Sequence, residues 1–559
     1  MKKQIFLGAA LLLLMASCSN NDTTNEDEKG KVDVVQAVNF TVDFADYNAE
    51  QEVGVTRAAE ANKEEKLEQQ AIDLGNGILA MCTLQRDNTK QEKPAATRAL
   101  PNDTYTMLAY DAATKAFKGE MTGTVSGGAF IAAHANNSIQ LTPGTYDFVL
   151  FNSKVSRSGN NLTVNRADAG AAMIGRTENV TITPTPGQQQ VAFTLKHAGA
   201  KVSLKLTSYV PFSGPSATLA SVNATDVPGS SVYDAATGTW TAGGGAALSV
   251  NTTYPSSRSI AGGKYVANSK EEILFIPTTD VSKLKLTFTG GSIYRKNIAN
   301  VGLTFSPATP LTLEQNGAYV LNVEMKYNFF YLMSNGDVGT IKETIYGGAP
   351  AATAKTPIAV VLSRTKKMAA ALNNTTSGFV QDNWSTSKYM NKKTNTYTAN
   401  NMNAPLTTQP TSGLEETWNP NYSTSVVTGN KVKGLNPDFL AFYAAAHYDP
   451  GVAYTGATPL KWYLPSHDDW KWFFSALGLG DKTIVTKAVV KEYDWYGELA
   501  EAAFMQVNGT TILGKNFWSS SAYDYQVGFV HISVGNYLKM TWKFTGPNAY
   551  ALVRPFVKY

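Results

Sequence analysis

Up to about Met325, apolar and polar residues alternate in short runs separated by Gly, Pro and Asn, and a period of two marks half-buried strands. The clearest run is Val38-Asn39-Phe40-Thr41-Val42-Asp43-Phe44, where every second residue from Val38 is apolar and those between are polar. It predicts one strand with a dry and a wet face. Comparable runs are Tyr105 to Tyr110, Tyr146 to Phe151 after the turn Pro143-Gly144, Val202-Leu204-Leu206, Leu284-Leu286-Phe288 and Tyr319-Leu321-Val323. Short strands at this spacing argue sandwich or barrel. The expected organisation is an N-terminal β-sandwich domain over 38–200 and a second over 201–328, with the stretch from Phe193 to Leu206 fitting either side of the seam. The charged stretch Glu60 to Gln69 reads as a solvated linker or short exposed helix.

From about Tyr331 the pattern changes, and an α+β domain is expected over 329–559. Asn436-Pro437 ahead of Phe439, Phe442, Tyr443 and Ala446 reads as an N-cap, a proline at the first helical position and an apolar stripe. Ser466-His467-Asp468-Asp469 is a capping box leading into Trp470, Phe473, Phe474 and Leu477, with Gly478 as the stop. A third helix is expected over 497–507, strands over 528–534 and 550–556, and a long loop over the Asn/Thr-rich 385–412. Tryptophan usage agrees: eight of nine lie between Trp384 and Trp542.

The front of the chain is a targeting segment. Lys2 and Lys3 precede an apolar run from Ile5 to Ala16, giving a signal peptide over 1–17 that is about half the length of a spanning helix. Met15-Ala16-Ser17-Cys18 then resembles the bacterial lipoprotein signal, which implies lipidation of Cys18, and residues 18–37 read as an acidic tether. Cys82 is the only other cysteine, so the cores rather than disulfides must hold the fold. A net charge of +4 without a basic stripe argues against nucleic acid as a partner.

Several features taken together resemble the fimbrillins, pilus subunits of Gram-negative anaerobes made as lipoprotein precursors. They are the lipobox at Cys18, the early alternating strand, Thr56-Arg57-Ala58, Leu74-Gly75-Asn76-Gly77, Thr97-Arg98-Ala99, the segment Leu141 to Phe148, and Ile273 to Pro277. The resemblance implies two transthyretin-like β-sandwich domains, an outer-membrane lipid anchor, and removal of the N-terminal strand by an arginine-specific protease. Another subunit's strand would then fill the vacated groove by β-augmentation. On that implication Val38, Phe40, Val42 and Phe44 form the exchanged strand, Arg57 is the first cleavage candidate and Arg98 the second. The C-terminal part resembles C-type-lectin-like domains related to the formylglycine-generating enzyme fold, through Trp462-Tyr463-Leu464-Pro465-Ser466 with Trp470, Phe517-Trp518-Ser519-Ser520-Ser521 and Val553-Arg554-Pro555. A tip adhesin follows, with other fimbrial subunits, the protease and a glycan or host surface as partners. The rival is a non-polymerising surface lipoprotein.

No catalytic constellation is legible. The five histidines lack zinc-ligand spacing, no cysteine follows Cys82 to support formylglycine chemistry, and the calcium-lectin motifs are missing. No metal, cofactor or enzymatic activity is expected. Trp462, Trp470, Trp518 and Trp542 read as core, Asp469 as capping and Arg554 as a structural donor. Trp472, off the buried helical face, is the one weak ligand-binding candidate.

Overall fold

The computed structural model describes residues 30–48, 66–87, 102–133, 138–184, 189–255, 259–261, 263–307, 310–375, 383–398, 400–488, 492–534, 537–545 and 550–559. Cys18, Arg57 and Arg98 lie outside the described residues. The chain is mainly β, and none of its described helices is long and apolar enough to cross a membrane.

The first alternating strands close into a barrel. Its order is Met173–Ile182, Gln189–His197, Val38–Phe44, Ala129–Ala132, Phe117–Ser126, Tyr105–Asp111 and Gly144–Asn152, the last pairing back to the first. A two-layer sandwich was the expectation. The closed form arises because Val38–Phe44 bonds on both sides, joining two strands that would otherwise be edges. Its interior is filled by Tyr105, Met107, Phe148, Leu150, Phe193 and Leu195. The tether is shorter than expected too: Val32–Asp33 pairs with Gln140–Leu141, and Val34–Ala37 is a helical turn with Val34 buried. Three valines in six residues give this stretch apolar surface that the acidic run before it lacks.

Behind the barrel two sheets face each other. One runs Ser259–Ala261, Lys264–Phe275, Ala200–Ser208, Ala318–Tyr327, Ile78–Arg86 and Lys66–Gly75. The other runs Ser249–Thr253, Ser213–Ser221, Leu284–Ile293 and Lys296–Asn297, with Gly302–Thr304 also on Leu284–Ile293. Leu84, Val202, Leu204 and Leu321 oppose Leu219, Leu284, Leu286 and Leu303 around a cavity of about 30 Å³.

The hairpin 66–86 corrects two expectations. It belongs to this second body and not to an unbroken domain over 38–200, and Lys66 to Gln69 lie in a strand, not in a linker or helix. Every residue from Ile78 to Leu84 is buried, so this strand needs apolar cover on both faces. An interior place beside Ala318–Tyr327 supplies it, through nine consecutive paired residues from Ile78↔Tyr327 to Arg86↔Tyr319.

From Phe330 onward a six-stranded sheet runs Val338–Thr340, Phe330–Met333, Pro357–Ser363, Met368–Ala371, Phe556–Lys558 and Lys461–Tyr463. A four-stranded sheet runs Glu492–Asp494, Tyr537–Phe544, Gln526–Ile532 and Lys515–Tyr523. Helices Gly413–Trp418, Leu440–Ala446, His467–Leu477 and Gly497–Met505 pack with them. Ser466 and Asp469 make the reciprocal capping box, which turns Trp470, Phe473, Phe474 and Leu477 inward. The helix expected at Pro437 starts only at Leu440, because the Asn436 side chain accepts from Asp438 N (3.1 Å) and holds a separate turn first. The strand expected over 550–556 is mostly irregular, with Leu552 bridging Phe517, and regular pairing begins at Phe556. Gln506 ties this region to the sandwich by accepting from Tyr327 N (3.2 Å) and donating to Tyr327 O (2.7 Å).

Cys82 sits in the middle of the buried strand, and burial pushes its thiol up to about 12. Maleimide at mildly alkaline pH should leave Cys82 unlabelled in the native chain and label it fully in guanidinium, as read by peptide mass spectrometry.

Candidate functional site: the leading strand of the barrel

The strand Val38–Phe44 is bonded unequally along its two edges. On one it forms a parallel ladder from Val38↔Gln189 to Phe44↔Leu195, seven pairs long. On the other the only paired position is Thr41↔Ala129, with Val42 N donating to Gly128 O at 2.8 Å. Parallel pairs are slightly weaker per residue than antiparallel ones, and every other bonded pair of neighbours around this barrel is antiparallel. Even so, seven pairs outweigh one, and the antiparallel seam beside Ala129–Ala132 is the weaker of the strand's two edges.

Side chains supply what the hydrogen bonds do not. Val38, Phe40 and Val42 are 5%, 3% and 2% exposed, and each contributes about 1.5–3 kcal/mol by burial. The Phe40 ring meets Phe148 at 5.6 Å, Phe193 at 6.0 Å and Phe130 at 6.4 Å between centroids. Phe44 is only half buried and stands edge-on to His197 at 4.8 Å. Of the four apolar residues, three fill the barrel and the fourth caps its rim.

Both ends of the strand are fixed. Upstream, Asp33 caps the turn Val34–Ala37 by accepting from Val35 N (3.0 Å). Downstream, Tyr47 stacks on His197 at 4.3 Å, and burial, with Glu272 adding, pushes its phenol up to about 12. Asn48 then docks on the sandwich: its side chain donates to Asp87 O (3.1 Å) and Ala318 O (3.0 Å) and accepts from Ala318 N (2.9 Å), while its N–H donates to Asn316 O (3.0 Å). The φ of Asn48 is +61°, a conformation asparagine tolerates better than most residues. Sequence reasoning missed Asn48, Gly128 and His197; an Asn four residues past a strand was the one available signal.

In the C-terminal region the tryptophans are structural. Trp470 and Trp518 are fully buried, Trp462 and Trp542 nearly so, and Trp542 donates to Met402 O at 2.9 Å. Arg554 is fully buried and donates to Ala371 O, Leu372 O and Thr510 O. Trp472 is half buried rather than an open platform: Lys482 Nζ lies 3.3 Å from its ring centroid and Lys366 Nζ 4.6 Å. A buried pair went unread in the sequence. Glu416 and Lys433 are each 1% exposed; burial pushes the Glu416 carboxyl up to about 7 against the pull of Lys433, and burial lowers Lys433 to about 8.

The chain is thus mainly β, with several packed sheets and a first barrel closed by a strand near its front. The fimbrillin-like family model matches residues 42–343, more than half of the 559, and the chain belongs to that family. No curated protein matches it. Solved structures similar to it include the tip fimbrial protein Mfa3 from Porphyromonas gingivalis with C-terminal truncation, 13% identical over 43% of this chain and 94% of that one, TM-score 0.24. Another is a fimbrial protein from Bacteroides vulgatus, 13% identical over 42% and 90%, TM-score 0.25. At such scores these similarities carry no part of the assignment.

Phe40→Ala should cost about 3–5 kcal/mol in denaturant unfolding of the full-length chain, whereas Asp43→Ala, on the wet face, should stay within ~0.5 kcal/mol. For the buried pair, the raised Glu416 value means that the folded chain holds a proton between the ordinary carboxylate range and about pH 7 that the unfolded chain has released. Its contribution is present at low pH and lost as pH rises through about 7. The Glu416→Gln, Lys433→Met double variant should therefore lose that part of the pH dependence of the unfolding midpoint.

Proposed function

We propose that this chain is a fimbrial subunit assembled by strand exchange, made as a lipoprotein anchored to the outer membrane through Cys18, and most suited to the tip. The observation that carries the reading is the unequal bonding of Val38–Phe44: one parallel ladder, one single-bridge seam, and three apolar side chains filling the barrel. Loss of the strand leaves an open strand edge along 189–195 and an apolar slot lined by Phe130, Phe148 and Phe193. A strand of the same alternating pattern from another subunit satisfies both.

Topology favours Arg57 over Arg98 as the processing site. Arg57 falls between the leading strand and the hairpin, so a cut there severs the leading strand with its Asn48 clamp and leaves the hairpin joined to its body. A cut at Arg98 also severs the hairpin 66–86, whose inner strand is buried from Ile78 to Leu84 and paired along nine residues. The C-terminal region, read as a lectin-like head, supports a tip position because Phe556–Lys558 is hydrogen-bonded to strands on both sides and is not free for donation. The rival reading, a surface lipoprotein that keeps its first strand, draws support from the Asn48 clamp.

Mass spectrometry of the mature N-terminus distinguishes the two. A start at Ala58, abolished by Arg57→Ala, is the expected result, and a retained lipidated Cys18 in assembled fimbriae defeats processing. Purified fimbriae should carry this chain at low stoichiometry; long homopolymers of it would defeat the tip assignment.

A further inference from the structure

Four lysines gather about Trp472 against two acids among the described residues, Asp481, which attracts Lys482, and Asp469, which attracts Lys558. Lys482 and Lys366 bring their ammoniums onto the indole, and Lys558 donates to Lys366 O at 2.7 Å, which places a third cation beside the second. Lys461 stands directly across from Lys558 in the antiparallel pair, so two like charges share one face of the sheet. Such a pairing is unfavourable unless something offsets it. The carboxylates close at hand are also engaged elsewhere. Asp469 accepts from Ser466 N and Gly413 N, and Asp481 accepts from Thr483 N and Thr483 Oγ1. Asp468 attracts Lys471, one turn from Asp468 on the same helix. Burial lowers the Lys558 ammonium below its ordinary range, with Lys366 adding to the effect and Asp469 opposing it.

We propose that this basic face, formed by Lys366, Lys461, Lys482 and Lys558 about Trp472, binds a sulfated or carboxylated polysaccharide. Charge complementarity selects a polyanion, and several convergent cations offset the repulsion that each pair of lysines carries alone. The indole selects sugar within that class, because a pyranose offers both anionic substituents and C–H faces that pack on an aromatic ring. A single compact patch in a chain of net charge +4 is short of the continuous basic track that a nucleic acid backbone follows. Leu479 and Ile484, exposed beside Lys482, make an anionic membrane the competitor to be tested. The proposal deepens the adhesive reading by naming a ligand class. Its test uses the isolated chain, so it is blind to whether strands are exchanged.

The full-length chain without its signal segment is measured by interferometry against heparin-type and polyuronate oligosaccharides, neutral dextran, duplex DNA, and phosphatidylserine vesicles. Binding to the acidic glycans and not to dextran is expected, weakening as salt rises from about 50 to about 300 mM. Lys366→Glu with Lys482→Glu should weaken it about tenfold or more at an unchanged melting temperature. Lys461→Glu, exposed on the rim, should give a smaller loss and stands in if the double variant unfolds. Lys393→Glu, at the distant Asp524 pair, should leave binding intact. Failure to bind any acidic glycan, equal binding by the variants, or tighter binding to vesicles or DNA would overturn the proposal.

Discussion

The parallel ladder between Val38–Phe44 and residues 189–195 closes the barrel, and much else in the molecule follows from it. Without this strand, Gln189–His197 and Ala129–Ala132 are edges, and the aromatic interior of Phe130, Phe148 and Phe193 is open along one side. Closure removes both liabilities together, since a strand supplies hydrogen bonds and alternate side chains in one piece. The strand's fit depends on a period-two pattern and a few ring contacts, and not on a unique chemical group, which is the property that the proposed strand exchange requires.

The second body is built differently, and the contrast bears on which parts can move. Ile78–Arg86 lies inside its sheet, buried from Ile78 to Leu84 and bonded on both sides, so its removal would expose a core on two faces. The leading strand has one fully bonded edge and a wet face. Asn48 stands where the two bodies meet, held to backbone atoms at Asp87, Asn316 and Ala318. Because Asn48 precedes Arg57, release of the strand by a cut at Arg57 would also have to break this clamp.

In the C-terminal region, aromatic and polar residues serve packing first. Most of its tryptophans are buried, Arg554 satisfies three backbone carbonyls, and Asp469 is spent on its helix cap. The surface that remains chemically unsettled is the lysine cluster at Trp472, where the like charges outnumber the acids that attract them. Glu416 and Lys433 show the opposite solution, an interior pair in which burial drives each group toward its neutral form.

The sequence by itself placed strands such as Val38–Phe44 and Tyr105–Asp111, because alternation records a local requirement, one face dry and one wet, that each segment states alone, whereas Lys66 to Gln69, charged and without that pattern, read as linker. It likewise determined the capping box at Ser466, since both partners lie within four residues. Only the tertiary structure decided that the sheet containing Val38–Phe44 closes, that residues 66–86 leave the first body for the second, and that Trp472 meets Lys366, distant in sequence, as well as the nearby Lys482. These outcomes depend on which distant edge or face a segment meets. Alternation gives the side of a strand that must be covered and leaves unstated what covers it, and that choice belongs to the packed chain as a whole.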